Sequence, residues 1–430
     1  GNELEMPTTG GETNREIVAA VKSGALDESV LDENIDRLLD LIFTTHATME
    51  KGAVEVDKDA HHAMAIRAAE EAIVLLKNEN AALPLKEKER IAIIGDFAQN
   101  PRYQGAGSSV VRPTRLDKTL DVVKDYPVEV VGFAQGFDRY GKKKKGLAKK
   151  AVKLLKKADT ALVYLGLDEV TESEGLDRQN MILPLNQQTL LSELKKTGKK
   201  IVVVLSCGSA IATDFDANCD ALVYAALSGQ GGARAVLNVV TGKVNPSGKL
   251  PFTSPAKLED CPAHSLGQYT GKRSRDIIDI RYNESIFVGY RWADKQKNLK
   301  PLFPFGHGLS YTTFEYGKPT ADATTMQTDG KLTVKLTVKN TGTREGQEVV
   351  QLYISDKKSS LPRPVKELKG FRKVRLAPGE AKEVTFTIDK EALSFFDDAR
   401  HAWVAEPGKF EAVIAASAAD IKGVVPFELK

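Results

Sequence analysis

Five short apolar runs constrain most strongly what this chain of 430 residues can fold into. They are rich in β-branched residues, nearly continuous in apolar character and too short for helices, which is typical of strands buried on both faces of a parallel sheet. Helical patterns separate most of them, and this alternation predicts an α/β fold with a mainly parallel sheet covered by helices. The runs are Ile91–Gly95, Val128–Val131, Thr160–Leu165, Ile201–Leu205 and Ala221–Ala226.

The residues before these runs predict helices. Residues 14–21 form a short amphipathic stretch that ends at Ser23-Gly24, and Asp27 has the character of an N-cap for a second helix. Apolar residues at helical spacing predict a third helix from about Asp59 to Lys77.

The pattern changes after about residue 316. Residues 331–338 alternate strictly between polar and apolar side chains, and Pro-Gly breaks separate further short strands, among them Val349–Ile354 and Glu383–Ile388. This pattern of short strands and turns predicts an all-β sandwich of the immunoglobulin or fibronectin type III kind. The predicted division is a short helical region at 1–55, an α/β domain at 56–315 and the sandwich at 316–430.

Charge and composition argue against some functions. The net charge is only +3, so nucleic-acid binding is not expected; the one dense basic run, Lys142–Lys157, fits a solvated helix face, with an anionic partner as the alternative. No apolar run reaches the roughly 18–20 residues that span a bilayer, so no membrane insertion is expected. Three cysteines without metal or disulfide spacing predict free thiols and favour a cytoplasmic location, although the sequence starts at Gly1 and targeting stays open.

The acidic segment that directly follows the run at 160–165 contains the highest density of candidate catalytic residues in the chain. Parallel strands end at one edge of their sheet, which is where ligands bind. Crowded carboxylates raise one another's pKa, which can keep one of them protonated as a general acid. An acidic surface loop is the alternative on these residues alone. Within seven positions the segment holds Asp168, Glu169, Glu172 and Glu174.

A glycine-rich segment, Gln104–Pro113, follows the run at 91–95 and is expected at the same edge. Its glycines permit close approach of a ligand, and the hydroxyls of Ser108 and Ser109 can bind sugar hydroxyls. A phosphate cradle is not favoured, because no Gly-Lys-Ser/Thr follows. A plain surface turn explains these residues equally well.

The remaining polar residues predict neither a metal site nor a cofactor. The six histidines are scattered, and no pair has metal-site spacing. Ser228–Gly232 does not form a nucleophile elbow, and Ser206 has no evident base near it in sequence. A serine hydrolase is therefore not favoured.

Segments spread in collinear order over the chain resemble glycoside hydrolase family 3. They are similar to the end of the family's (β/α)8 barrel, to the opening, later signature and ending of its α/β sandwich domain, and to its trailing fibronectin type III-like domain. The resemblance implies a retaining, exo-acting β-glucosidase whose substrate is a β-glucoside or an oligosaccharide. In order, the segments are Gly1–Pro7, Ala68–Asn78, Gly231-Gly232 with Asn245–Pro251, Phe303–Thr312 and Lys366–Phe371.

The resemblance also implies roles for individual residues. Glu174, in the segment Glu-Ser-Glu-Gly-Leu-Asp-Arg, matches the family's acid/base glutamate, and the glutamate two positions earlier is less favoured. Ser108 matches a serine that contacts the sugar in the glycone subsite, with Ser109 beside it. Asp177 and Arg178 match the tail of the acidic motif, and we expect them to bind substrate or to support the loop.

The chain departs from the family in one respect. It contains no Ser-Asp-Trp motif, so the aspartate nucleophile is expected on a barrel that these residues do not include. The chain is then a fragment of a longer enzyme or a subunit awaiting a separate barrel, and by itself it is predicted to be inactive.

Several alternatives stay open. A β-xylosidase or a broader exo-glycosidase uses the same scaffold. A noncatalytic carbohydrate-binding or scaffold module would consist of these two domains alone, and a flavodoxin-like nucleotide-binding protein is the most distant alternative. Homo-oligomerisation and aglycone preference also stay open.

Overall fold

A computed structural model describes residues 2–212, 216–274, 277–296 and 298–430. The chain divides into one unit of residues 1–58 and a second of residues 59–430. The described α-helices are α1 (Glu12–Ser23), α2 (Glu28–Met49), α3 (Lys58–Ala72), α4 (Asp96–Gln99), α5 (Thr119–Val122), α6 (Leu147–Leu155), α7 (Leu185–Lys195), α8 (Gly232–Val240), α9 (Pro262–Ser265), α10 (Tyr290–Lys295) and α11 (Lys390–Leu393).

The described strands begin with β1 (Val74–Asn78), β2 (Arg90–Ile94), β3 (Glu129–Ala134), β4 (Thr160–Gly166), β5 (Lys200–Ser206) and β6 (Ala221–Tyr224). A short hairpin, β7 (Lys272–Ser274) and β8 (Ile277–Asp279), follows. The last group is β9 (Phe314–Tyr316), β10 (Thr320–Ala321), β11 (Thr325–Met326), β12 (Leu332–Asn340), β13 (Gly346–Asp356), β14 (Glu367–Leu376), β15 (Ala381–Ile388), β16 (Phe395–Asp397), β17 (Ala402–Val404), β18 (Gly408–Ser417) and β19 (Asp420–Leu429).

Local sequence sets the helix ends in the first unit. Gly24 closes α1 with a φ of +74°, and the carboxylate of Asp27 accepts the N–H of Ser29 at 2.9 Å, which confirms the predicted N-cap of α2. Neither helix has a buried residue, and Leu41 and Phe43 of α2 are 59% and 65% exposed.

A six-stranded sheet forms the centre of the second unit, in the order β1-β6-β5-β4-β2-β3. Strands β2 to β6 are parallel to their neighbours, and only the edge strand β1 runs antiparallel, to β6. β4, β5 and β6 are almost entirely buried, as their continuous apolar runs predicted. The predicted α/β fold with a mainly parallel sheet is therefore confirmed.

The predicted third helix is wrong beyond residue 72. α3 ends at Ala72, and the next residues form β1, in which Val74 pairs with Tyr224. Leu75 is fully buried, and it gains a strand partner that lies far along the chain. A long-range pairing thus overrides the helical spacing that the apolar residues show locally.

The basic run is helical only in its second part. α6 begins at Leu147, so Lys142–Lys145 precede the helix. Ala151 and Leu155 are buried while the lysines are exposed, which agrees with a solvated helix face.

The strand order creates a crevice at one edge of the sheet. The chain leaves β2 for β3 on one side and returns to β4 on the other side of β2. At such a switch point the loops after the two central strands diverge and leave room for a ligand beside the carboxyl ends. The segments after β2 and β4 are those that carry the glycine-rich and acidic motifs.

The last part of the chain is a two-layered sandwich, as predicted. One sheet has the order β10-β12-β15 with β9 beside β12, and the other has the order β11-β19-β18-β13-β14. Alternate residues of β12, Leu332, Val334, Leu336 and Val338, are buried in the core between the layers. The predicted boundaries at 55/56 and 315/316 stay predictions.

Aromatic and charged contacts join the sandwich to the α/β part of the second unit. The Tyr290 and Tyr353 rings pack edge to face at 5.6 Å, and the Tyr290 hydroxyl accepts the N–H of Leu368 at 2.8 Å. Lys249 pairs with Glu348 at 3.1 Å, with both side chains largely buried. The final domain therefore has a specific contact surface on the α/β part.

Two further sequence predictions concern cysteines and membranes. Cys207, Cys219 and Cys261 are free, as predicted. Among the described helices, none combines the length and the apolar character that crossing a membrane requires.

Candidate active site

The segments after β2 and β4 meet at the switch point of the sheet. The Glu174 carboxylate oxygen Oε2 accepts the backbone N–H of Ser108 at 2.6 Å and the Ser108 hydroxyl at 2.5 Å. The backbone N–H of Glu174 donates to the carbonyl oxygen of Ala106 at 3.2 Å. The structure thus brings together two residues that lie 66 positions apart.

Glycine is required where the two loops touch. Gly107 has a φ of +107°, and a Cβ atom there would lie 2.6 Å from both the Cβ and the Oε2 of Glu174. Gly175 turns the chain next to the glutamate with a φ of +75°. The Gln104 side chain closes the glycine-rich loop by accepting the N–H of Val111 and donating to its carbonyl oxygen, both at 2.9 Å.

The acidic residues do not crowd one another, contrary to expectation. Asp168 accepts the N–H groups of residues 170 and 171 at 2.8 and 2.9 Å, which closes a turn. Glu169 pairs with Arg139, and Glu172 turns towards the segment after β5. Each carboxylate has its own donor, and the pKa of Glu174 lies below its ordinary value, so the increase expected from crowding is wrong for Glu174.

Ser108 controls the ionisation of Glu174. The carboxyl is exposed, and hydrogen bonds from the Ser108 hydroxyl and then from its backbone N–H hold the pKa of Glu174 below its ordinary value. A donor that binds the charged form favours that form. In this chain Glu174 is therefore a carboxylate at neutral pH rather than a stored proton.

Asp177 and Arg178 lie in the same loop as Glu174, and Asp177 is exposed whereas Arg178 is half-buried. Arg178 Nη1 donates to Ser209 Oγ at 2.7 Å and to the Ala210 carbonyl oxygen at 3.0 Å. Its Nε and Nη2 atoms are buried and have no hydrogen-bond partner among the described residues. Arg178 thus connects this loop to the segment after β5. Ser109 is exposed beside Ser108.

Sequence reasoning missed Arg102, Arg139 and the pair Gly208-Ser209. Arg139 lies after β3 and pairs with both Glu169 and Asp96. Gly208 and Ser209 lie one residue beyond the end of β5, which neighbours β4, so the rule that placed the other loops could have placed them as well. Nothing in the sequence distinguished Arg102 from other arginines.

The residues around Glu174 form an open edge rather than an enclosed pocket. Val110 and Leu176, on the two loops, are 56% and 60% exposed. A cleft of about 460 Å³ exists elsewhere, between α3 and the final domain, and Glu174 does not line it. Within the described ranges, no group of three or more His, Cys, Asp or Glu side chains could hold a metal ion.

Comparison with known proteins identifies the family. Residues 73–311 match the glycosyl hydrolase family 3 C-terminal domain. The chain belongs to glycosyl hydrolase family 3. Residues 348–418 match a fibronectin type III-like domain, in agreement with the observed sandwich.

Individual proteins of known activity or structure match nearly the whole chain. Thermostable beta-glucosidase B of Acetivibrio thermocellus is 43% identical over 98% of this chain and 55% of its own length. An exo-alpha-(1->6)-L-arabinopyranosidase of Bifidobacterium breve is 37% identical over 100% of this chain and 56% of its own length. The crystal structure of a beta-glucosidase from Bifidobacterium adolescentis superposes with a TM-score of 0.89 at 36% identity, covering 99% of this chain and 61% of that chain. The chain thus spans little more than half the length of these curated relatives.

Proposed function

We propose that this chain is the acid/base part of a retaining, exo-acting β-glucosidase. Glu174 protonates the leaving oxygen while an aspartate on a barrel outside this chain attacks the anomeric carbon. Glu174 then takes a proton from the water that releases the sugar. The observation that carries the proposal is the contact between Glu174 and Ser108 at the switch-point crevice, in a chain of family 3.

The open edge around Glu174 fits an active site in which the barrel supplies the opposite wall of the sugar-binding pocket. Retention requires two carboxyl groups roughly 5–5.5 Å apart, and a bound sugar has to fit beside them. The exposed side chains of Val110 and Leu176 offer an apolar surface for such a wall. The relatives also extend well beyond the matched length, which leaves room for a barrel.

The lowered pKa of Glu174 is compatible with this role in the assembled enzyme. A nucleophile carboxylate at that separation raises the pKa of its partner by like-charge repulsion. If Ser108 turns its hydroxyl to the sugar, the largest cause of the lowered pKa disappears as well. Substrate and barrel would together convert Glu174 from a carboxylate into a proton donor.

The proposed glycone is glucose, and two pentoses are alternatives to it. One relative is an exo-alpha-(1->6)-L-arabinopyranosidase, and a β-xylosidase is a further alternative on this scaffold. Initial rates of the enzyme that contains this chain and its barrel, on nitrophenyl β-glucoside, β-xyloside and α-L-arabinopyranoside, would rank the three sugars. A preference for either pentoside would replace glucose in the proposal.

Replacing Glu174 by Ala in that longer enzyme tests the acid/base role. Cellobiose needs a proton on its leaving group, so kcat/KM should fall by about 100- to 10 000-fold. An activated aryl glucoside needs little acid assistance, so its kcat/KM should largely survive, and azide should restore turnover and yield glucosyl azide. Glu193→Ala is the control, because Glu193 lies on α7 and, in the part of the chain that the structure describes, forms an ion pair with the exposed Lys196 alone. An unchanged rate on cellobiose would reject the assignment.

A further inference from the structure

Glu174 depends on its loop for its position. Its side chain is exposed, and the two hydrogen bonds from Ser108 come from another loop. Both loops must therefore be held to the sheet and to each other if the carboxyl is to stay within an ångström of one place. The contacts that do this come from Arg102 and Glu172, whose side chains are largely buried.

Arg102 connects the two loops through hydrogen bonds from its buried guanidinium group. Its side chain is 1% exposed, and its guanidinium donates to the carbonyl oxygens of Leu167 at 3.3 Å and of Glu172 at 2.8 Å, both after β4. A third short hydrogen bond goes to the carbonyl oxygen of Gln104, at the start of the glycine-rich loop. A buried guanidinium is costly without a counter-charge, and carbonyl groups carry none.

Glu172 supplies that counter-charge and joins a third loop. Its carboxylate Oε2 lies 3.7 Å from Arg102 Nη2 and accepts the N–H of Gly208 at 2.8 Å. Its Oε1 accepts a short hydrogen bond from the hydroxyl of Ser209, which in turn accepts from Arg178. The side chain is 17% exposed, so its two oxygens are engaged on the inner side of the loop.

We propose that Glu172 is a positioning residue for the acid/base glutamate. It neutralises Arg102 and ties the loop after β4 to the segment after β5, so that Glu174, two residues further on, points outwards at a fixed place. The effect of this positioning on catalysis rests on the proposed function, in which Glu174 is the acid/base. Glu172 is not the acid/base itself, because donors occupy both of its oxygens.

The first test uses the chain as it is. Glu172→Ala removes both acceptors, and Glu172→Gln keeps one. Hydrogen–deuterium exchange of the amides in residues 170–178 and 207–210 should accelerate by roughly tenfold or more in the alanine variant and by less in the glutamine variant. Exchange in β4 and β5 should not change, nor should exchange anywhere in Glu193→Ala. Unchanged protection of both loops would overturn the proposal, and loss of protection throughout the sheet would also do so.

The second test uses the longer enzyme with its barrel. A small misplacement of a reacting group can lower the reaction rate about 100-fold. We therefore expect Glu172→Ala to lower kcat/KM on cellobiose by about 10- to 100-fold. The kcat/KM on an activated aryl glucoside should fall far less, and Glu172→Gln should recover part of the loss. Equal losses on both substrates would indicate general damage and overturn the positioning role. A Glu174→Ala enzyme with normal cellobiose activity would overturn the proposed function instead and leave the exchange result intact.

Discussion

The hydroxyl and the backbone N–H of Ser108 donate to the same carboxylate oxygen of Glu174, at 2.5 and 2.6 Å. One residue of the glycine-rich loop thus supplies both donors to the proposed acid/base group. This arrangement couples the proton affinity of Glu174 to the orientation of a single side chain, and a bound sugar would compete for the same hydroxyl.

Replacing Ser108 by Ala should raise the pKa of Glu174. The hydroxyl is the largest cause of the lowered pKa, and the backbone N–H remains in the variant, so the pKa should move towards the ordinary value of an exposed glutamate without exceeding it. The lowered pKa favours the carboxylate, and loss of a donor therefore moves the titration midpoint to higher pH. A carbon-detected NMR titration of the Glu174 carboxyl in this chain measures it.

Ser109→Ala is the matched control for this titration. Its hydroxyl lies one residue further along, and among the described residues the hydrogen bonds that lower the pKa of Glu174 come from Ser108, so the midpoint should stay where it is in the parent chain. If the Glu174 carboxyl in Ser108→Ala titrates with a midpoint at or below that of the parent chain, the Ser108 hydroxyl does not lower the pKa of Glu174.

Replacing Gly107 by Ala should displace Glu174. The new Cβ would approach the glutamate side chain to 2.6 Å, and the φ of +107° is unfavourable for alanine. We expect a loss of about 1–3 kcal/mol in the free energy of unfolding and an altered Glu174 carboxyl signal. Urea unfolding and the same NMR experiment measure the two effects.

Gly141→Ala separates backbone strain from collision. Gly141 also has a positive φ, of +75°, but no atom lies within 4 Å of the position of its Cβ. This control should lose about 1–2 kcal/mol and leave the Glu174 signal unchanged. If both variants leave that signal unchanged, the close approach at Gly107 is not a constraint on the glutamate.

Sequence predicted the parts of this structure that depend on local pattern. The runs that became β4 and β5 are apolar because both faces of a central parallel strand are buried, and β12 alternates because one face is buried. The placement of Glu174 and Ser108 at one edge follows from the rule that parallel strands end together.

Parts that depend on distant partners were not predictable in this way. β1 was predicted as helix because its strand partner, β6, lies far along the chain. The expected increase in the pKa of Glu174 is wrong because its donor, Ser108, lies on another loop, 66 positions away. Hydrogen-bond partners set the direction of a pKa shift, and spacing along the chain does not reveal them.

The ion pair of Lys249 and Glu348 leads to a final prediction, which concerns how the sandwich is attached to the α/β part. Their side chains are 14% and 7% exposed, and they join the α/β part to the sandwich at 3.1 Å. Glu348→Ala removes the counter-charge of the lysine in a largely buried place and leaves its ammonium group the neutral carbonyl oxygen of Gly308, so the free energy of unfolding should fall by about 3–5 kcal/mol. Scanning calorimetry should show the sandwich separating from the main transition at a lower temperature.

An exposed ion pair within the sandwich gives the comparison for this loss. Lys335 and Glu383 are 53% and 57% exposed on neighbouring strands, and Glu383→Ala should cost less than about 1 kcal/mol. Glu348→Gln should lie between the two alanine variants, because an amide oxygen can accept a hydrogen bond from Lys249 but carries no full charge. The difference arises because water screens the exposed pair, whereas the Lys249 ammonium group has little access to water once its partner is removed. Equal losses in the two alanine variants would mean that packing at the Tyr290 and Tyr353 rings, rather than this ion pair, holds the domains together.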